Sequence, residues 1–138
     1  MSWALYAGLS AVFAGLTALL AKLGVQHVNS NIATFVRTCV ILVFAGAIIF
    51  ARGEASGLRA LTSRNWTFLV LSGIATGCSW LFYFAAIQRG PISRVAPIDK
   101  LSFVIAMLLG IFVLHEKFKP TTVIGAVFIL IGVLFTLK

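Results

Sequence analysis

Three charged side chains fall inside long apolar stretches and are the first candidates for chemistry. Arg37 interrupts IATFVRTCVILV, while Asp99 and Lys100 stand side by side in VAPIDKLSF. An ionisable side chain in the apolar core of a membrane costs about 2.5 to 3.5 kcal/mol, so it is a functional candidate by default. These three residues would recognise a charged group or gate its passage.

A second candidate group is aromatic and polar. In TGCSWLFYF, spacings of four and three residues place Thr76, Trp80 and Tyr83 on one face of a helix. Trp and Tyr in such positions line paths for organic molecules or cations. The alternative is an aromatic belt at the membrane–water interface, which suits Tyr83, near the end of its apolar stretch, better than Trp80.

The sequence contains few residues that could support enzyme chemistry. Of the three acidic residues, Glu54 falls in a predicted loop and Glu116 at the end of an apolar stretch, and His27 and His115 are isolated at opposite membrane faces. The sequence contains no metal-ligand cluster, phosphate-binding loop, or nucleophile beside a base at recognisable spacing. We therefore expect no enzymatic activity, no cofactor and no metal.

The elements that carry these residues are membrane helices. The chain has 138 residues, of which 61% are hydrophobic and 10% charged, and its mean hydropathy is +1.09, well outside the range of soluble domains. A helix needs about 20 apolar residues to cross a bilayer core. The sequence predicts an all-α integral membrane protein in which residues 1–138 form a single domain of five transmembrane helices: 3–23, 32–51, 66–87, 91–115 and 121–137.

The net charge of +8 does not indicate a nucleic-acid partner, because the basic residues sit singly at the ends of apolar stretches and anchor helices at lipid headgroups. The two membrane faces collect nearly equal numbers of them. One face collects Arg52, Arg59, Arg64, Lys117 and Lys119; the other collects Lys22, Arg37, Arg89, Arg94 and Lys138, with or without Lys100. Without a clear excess, insertion in both orientations is expected, and two copies can pair antiparallel as an inverted repeat.

Small residues recur at helix-packing distances. Ala11 precedes Gly15 by four residues, Gly73 and Gly77 form a GxxxG pair, and a last pair of glycines is seven residues apart in the fifth stretch. Such spacing most often serves packing inside one bundle. The fifth stretch, almost purely aliphatic with one glycine seam, is also a candidate dimerisation helix.

The depth of the charged pair depends on where the fourth helix begins. If the helix begins at Pro97, Asp99 is a first-turn residue that favours the helix dipole, and Lys100 extends to the headgroups. If Gly90 breaks the chain and Pro91 opens the helix, Pro97 is internal and kinks it. Asp99 then lies about 12 Å along the axis. We favour this second alternative.

Continuous helical geometry separates the two charges. Asp99 shares a face with Ser102 and Gly110, and Lys100 points about 100° away, so the two residues are not expected simply to pair with each other. Two roles remain open for Asp99. It contacts Arg37 in a buried network, or the charges anchor their helices at the interface.

The segment PISRVAPIDKLSFVIAMLLGIFVLHEKFKPTTVIGAVFILIGVLF resembles the last two helices of an EamA-type repeat of the drug/metabolite transporter superfamily. The likeness rests on Glu116 and Lys117 in VLHEKF and on Gly125 and Gly132 in IGAVFILIGV. Upstream, WLFYFAAIQRGPIS is similar to the end of the third helix of such a repeat. Arg37 matches an arginine often found early in the second.

Two departures from the family pattern matter. Full-size members carry two five-helix repeats, whereas this sequence carries one, which implies a homodimer or a heterodimer with a second half. Pro97 lies upstream of the family's usual proline when Glu116 is aligned, so the position of a hinge is not inherited. The small multidrug resistance branch uses a glutamate in its first helix, and the first predicted helix here has no acidic residue, so that proton-coupled mechanism is not expected.

The resemblance implies a half-size transporter that exports a metabolite or drug by alternating access. Its partners would be membrane lipid, a small-molecule substrate and a second five-helix half. It would reside in the cell membrane, which in a bacterium is the inner membrane. The alternative is a non-transporting membrane scaffold or an accessory subunit of a larger membrane complex. Substrate binding or gating would fall to Arg37, Thr76, Trp80, Tyr83, Asp99 and Lys100.

Overall fold

The regular structure of the chain is helical throughout the part described, residues 2–117 and 119–137, in a computed structural model. A short 3₁₀ helix, Glu54–Ala60, follows the second α-helix. The prediction of an all-α protein is confirmed. The α-helices are α1 (Trp3–Gly24), α2 (Ser30–Ala51), α3 (Ser63–Arg89), α4 (Ile92–Asp99), α5 (Ser102–Phe112) and α6 (Pro120–Thr136).

Within the described residues, four helical segments are long and apolar enough to cross a membrane: α1, α2, α3 and the stretch Ile92–Phe112 that contains α4 and α5. Few of their side chains are buried within the folded chain. The prediction of a multi-pass membrane protein is therefore confirmed. Helix α6 is apolar but has 17 residues, so the count of five crossings stays a prediction.

Two helices begin before their predicted apolar stretches because polar residues cap them. The Asn29 side chain accepts a hydrogen bond from the Asn31 N–H at 2.8 Å, which allows α2 to begin at Ser30. The Thr62 hydroxyl accepts one from the Asn65 N–H at 3.2 Å just ahead of α3. Both contacts satisfy N–H groups that a first helical turn leaves without partners.

The predicted fourth helix, 91–115, is interrupted. Pro97 lies inside α4, as the favoured alternative required, but regular α-helix stops at Asp99 and resumes at Ser102. Across the interruption the N–H groups of Lys100 and Leu101 donate to carbonyls three residues back, at 3.1 and 2.9 Å. A proline in a helix interior removes one backbone donor and crowds the preceding turn. That disturbance concerns the turn before Pro97, whereas the observed break of two residues lies after it.

Helix α5 also ends earlier than predicted, at Phe112. His115 adopts a left-handed backbone conformation with φ of 53°, and the Glu116 N–H donates to the Gly110 carbonyl at 3.1 Å. The Glu116 carboxylate folds over the buried Gly110, within 3.1 Å of where a β-carbon would stand. This turn closes the helix before the charged segment HEK begins.

The chain divides into two compact units. The α2–α3 unit, Leu20–Gln88, buries Val25, Phe84 and Ile87. The α4–α6 unit, Met1–Leu19 with Arg89–Lys138, contains α6 in contact with α4 and α5, with Ala126 and Val133 buried. The prediction of one five-helix domain stays a prediction.

Candidate functional site

An arginine and two aromatic rings meet in the α2–α3 unit. The guanidinium carbon of Arg37 lies 4.3 Å from the centroid of the Trp80 ring and 5.6 Å from that of Phe84. Arg37 and Trp80 are half-buried and Phe84 is buried. A cation over an aromatic face gains about 0.5 to 1 kcal/mol when exposed and about 2 kcal/mol when desolvated. The rings therefore stabilise the charge that α2 carries into its apolar surroundings.

The two helices bring these residues to similar depth. Arg37 lies seven residues after Ser30, where α2 begins, or roughly 10 Å along the axis. Trp80 lies nine residues before Arg89, where α3 ends, or roughly 14 Å. The start of α2 and the end of α3 lie on the same side, because the loop that leads into α2 is bound to the end of α3. The contact thus lies well inside the membrane-spanning segments.

Tyr83 extends this group and Thr76 does not. The Tyr83 ring is half-buried and meets the Phe84 ring edge to face, with centroids 6.4 Å apart and planes at 82°. Thr76 is exposed, and its hydroxyl donates to the Ser72 carbonyl of its own helix at 2.8 Å. We call Arg37, Trp80, Tyr83 and Phe84 the Arg37 cluster.

The sequence analysis missed Phe84. Its spacing offered a signal, because Phe84 follows Trp80 by four residues and Gln88 follows by four more, so the three share one face of α3. The predicted face combined Trp80 with Thr76 and Tyr83, so it included Tyr83 in place of Phe84. The observed inward face of α3 runs through Trp80, Phe84 and Gln88.

Two long polar side chains bind the α1–α2 loop to the end of α3. The Gln88 amide nitrogen donates to the carbonyl of Val25 at 3.2 Å and to that of Val28. The Lys22 ammonium donates to the Ile87 carbonyl, one of the last carbonyls of α3. An open cavity of about 440 Å³ lies beside these contacts. Lys22 thereby closes the end of a neighbouring helix, and its predicted place at the headgroups stays a prediction.

The Arg37 cluster lies in a unit with little negative charge. Residues 20–88 contain one acidic side chain, Glu54, which binds Arg52 at 2.7 Å at the far end of α2, roughly 22 Å along the helix from Arg37. Within its own compact unit Arg37 therefore has aromatic partners and no carboxylate. Asp99 belongs to the other unit, so the predicted contact between Arg37 and Asp99 stays a prediction.

Asp99 and Lys100 bind each other, contrary to the expectation that they would not simply pair. The Lys100 ammonium lies 3.6 Å from the nearer Asp99 carboxylate oxygen. The expected separation of about 100° assumed a continuous helix, but regular helix ends at Asp99, so the long Lys100 side chain can turn back. The Lys100 side chain is 61% exposed, and such pairs contribute little to stability.

Helices long and apolar enough to cross a membrane define an integral membrane protein, and the cation held among aromatic rings inside two of them is its candidate functional site. The chain belongs to the EamA-like transporter family, whose model matches residues 1–138. It is a membrane transporter rather than an enzyme. The predicted family is confirmed.

Three relatives place the chain among transporters. It is 47% identical over 133 residues to an "Uncharacterized transporter in cobO 3'region" of Sinorhizobium sp., with 96% of this chain and 94% of that protein aligned. It is 28% identical to the "Probable 4-amino-4-deoxy-L-arabinose-phosphoundecaprenol flippase subunit ArnE" of Enterobacter sp. (strain 638), over 69% and 92%. It is 27% identical to the "Uncharacterized transporter YojE" of Bacillus subtilis (strain 168), over 67% and 31%. No solved structure matches the chain.

Proposed function

We propose that this chain is a five-helix half-transporter that exports a small polar or amphipathic metabolite or drug by alternating access, working as a dimer in the inner membrane of a bacterium. The observation that carries the proposal is the contact between Arg37 and Trp80, which keeps a charge inside the spanning segments of a transporter-family chain. The relatives' lengths support a half-size unit, because the chain aligns with 94% and 92% of two of them.

The dimer is supported by the two flanks of α6, which we propose as the fifth crossing. Ala126 and Val133 are buried, whereas a β-carbon added at Gly125 or Gly132 would meet nothing within 4 Å. A glycine flank of this kind allows close approach of another helix. The nearly equal numbers of basic residues at the two faces support pairing of inverted copies.

Alternating access requires a place where a repeat can bend. The break between Asp99 and Ser102 offers one, since two residues there are held by short-range backbone bonds rather than by α-helix. Interrupted helices near the membrane midplane are a common feature of secondary transporters. Lys100 and Asp99 would then act at the hinge as gating residues.

The proposal is tested with purified protein in proteoliposomes loaded with an isotope-labelled metabolite extract. Time-dependent release of particular solutes, measured by mass spectrometry, is expected only when the protein is present. Asp99→Asn and Lys100→Met should abolish release while the elution volume in size-exclusion chromatography is unchanged. Arg52→Gln, at the loop end of α2, is the matched control and should leave release intact. Release equal to that of loaded liposomes without protein would refute transport by this chain alone.

A second candidate is an accessory subunit of a larger membrane complex, which is supported by the relative named as a flippase subunit. In that case the chain alone releases nothing, and release appears when it is reconstituted with a second five-helix half. If the chain is a non-transporting scaffold, no solute is released with or without a second half. No metabolite then raises the unfolding temperature of the purified chain.

A further inference from the structure

We propose that the Arg37 cluster receives the anionic group of the substrate, so that the transported class is organic anions with a planar or apolar part, carboxylates or phosphates, rather than organic cations. This inference rests on the proposed transport function and assigns the substrate class of that same site. The sequence alone pointed toward organic molecules or cations, because a Trp and a Tyr share one helix face.

The face of Trp80 is already occupied. Aromatic rings attract cations through the negative charge of their faces, and the Arg37 guanidinium holds that position at 4.3 Å. A cationic substrate would meet an occupied ring and a like charge beside it. In surroundings of low polarity, repulsion between like charges at such distances is strong. The geometry therefore disfavours cations at the position that the sequence suggested for them.

The arginine over the ring is suited to an anion. A guanidinium carries five N–H donors in its own plane, and a ring face, unlike a carboxylate, does not accept them as a bidentate pair. Two of these donors match the two oxygens of a carboxylate or phosphate. Residues 20–88 supply no competing carboxylate nearby, since Glu54 binds Arg52 at the far end of α2.

The surroundings of Arg37 indicate what the anion is attached to. Phe84 is 2% exposed and lies 5.6 Å from the guanidinium, and the half-buried Tyr83 ring packs on its edge. A charge pair is stronger in such surroundings than in water. The partly exposed Tyr83 ring offers an apolar surface beside the charge, so the fitting ligand joins an anionic group to a planar or apolar body.

The test is ligand binding to the full chain in lipid nanodiscs, measured by isothermal titration calorimetry. The probes share one ring and differ in charge: benzoate and phenyl phosphate, neutral benzamide, and the cation benzylammonium. We expect both anions to bind, and benzamide and benzylammonium to bind at least about tenfold more weakly, since one charged hydrogen-bonded contact is lost. This comparison uses the natural protein and needs no variant.

Variants then assign the binding to one residue. Arg37→Gln should weaken benzoate binding roughly tenfold to a hundredfold. Arg37→Lys keeps the charge but loses the planar donor pair. Its affinity for benzoate should fall between those of the natural protein and Arg37→Gln. Arg52→Gln, on the same helix and paired with Glu54, should bind benzoate as the natural protein does. Far-UV circular dichroism and elution volume verify that each variant is folded.

Three results would overturn the inference: benzylammonium binding as tightly as benzoate, no binding of either anion, or benzoate affinity unchanged in folded Arg37→Gln. None of these measurements involves solute flux. Anion binding without solute release would refute the transport proposal and leave the anion site intact. Release of cationic solutes by a chain that binds no anion would refute the substrate class and leave transport intact.

Discussion

The guanidinium carbon of Arg37 on α2 lies over the Trp80 ring on α3, 4.3 Å from the ring centroid. In the α2–α3 unit, Arg37 carries the charge that most needs compensation. The contact places this charge against Trp80, a tryptophan within the neighbouring helix. An arginine within a spanning helix is costly unless its charge is compensated, and a ring face offers partial compensation without a carboxylate. The pair therefore serves the stability of α2 and α3 as well as any ligand.

Replacing Trp80 by Leu should destabilise the protein by about 1 to 2 kcal/mol, because the guanidinium loses its ring face. The measurement is thermal unfolding in nanodiscs, followed by circular dichroism. Trp80→Phe keeps an aromatic face and should lose less. Trp66→Leu is the control for loss of a tryptophan, since Trp66 lies near the start of α3 and is 51% exposed. Equal unfolding temperatures for Trp80→Leu and Trp66→Leu would contradict the stabilising role of the contact.

Replacing Gln88 by Leu should release the loop between α1 and α2. The Gln88 amide donates to the carbonyls of Val25 and Val28, so both bonds would be lost, and the Val25 carbonyl would keep only the Val28 N–H, at 3.3 Å. Each such hydrogen bond contributes about 0.5 to 1.5 kcal/mol. Hydrogen exchange at residues 25–29 should become faster, as measured by mass spectrometry.

Gln26 provides the matched control for this loop. It is exposed and lines the same open cavity, so Gln26→Leu removes an amide from the same loop without removing the hydrogen bonds to Val25 and Val28. Exchange at residues 25–29 should then stay at the natural rate. Identical exchange in the two variants would show that Gln88 does not hold the loop.

The helices could be predicted because apolar stretches of about 20 residues have one main structural solution in a bilayer. Their ends could not be predicted from hydropathy alone, since Asn29 and Thr62 start helices from polar residues that a hydropathy search excludes. The capping pattern was visible in the sequence. It would have extended both helices correctly.

The candidate site was partly predictable for a different reason. Arg37 is conspicuous as a charge in an apolar stretch, and Trp80 as an aromatic residue in mid-helix, but helical spacing describes faces and does not determine which faces of two helices meet. That is why Trp80 was grouped with Thr76 and Tyr83 and Phe84 was left out. The Asp99–Lys100 pair was misjudged because the break after Asp99 invalidates continuous helical geometry.

Replacing Pro97 by Ala should stabilise the turn of α4 that leads into the break. Alanine restores the missing N–H and removes the crowding that proline creates in a helix interior, where proline costs about 3 kcal/mol relative to alanine. We expect a higher unfolding temperature together with slower solute release from proteoliposomes, because the proposed hinge stiffens.

Pro120→Ala is the control for the proline replacement. Pro120 occupies the first position of α6, where the absent N–H has no helical partner to lose, so its replacement should change both quantities little. If Pro97→Ala raised stability without slowing release, the break would be a structural feature and not a hinge.

Replacing Gly132 by Leu should weaken the proposed dimer. A β-carbon at Gly132 meets nothing within 4 Å in the chain, so the larger side chain is expected to leave the fold of one chain intact. In the dimer it would keep the second copy's helix from approaching α6, with a loss of roughly 1 to 2 kcal/mol, or about tenfold in dissociation constant. Subunit counting by single-molecule photobleaching in lipid vesicles measures the dimer fraction. Gly8→Leu, at an equally open glycine of α1, should leave that fraction unchanged. A dimer fraction equal to that of the natural protein in Gly132→Leu would remove α6 from the interface, and a parallel loss in Gly8→Leu would mean that α1 contributes to it as well.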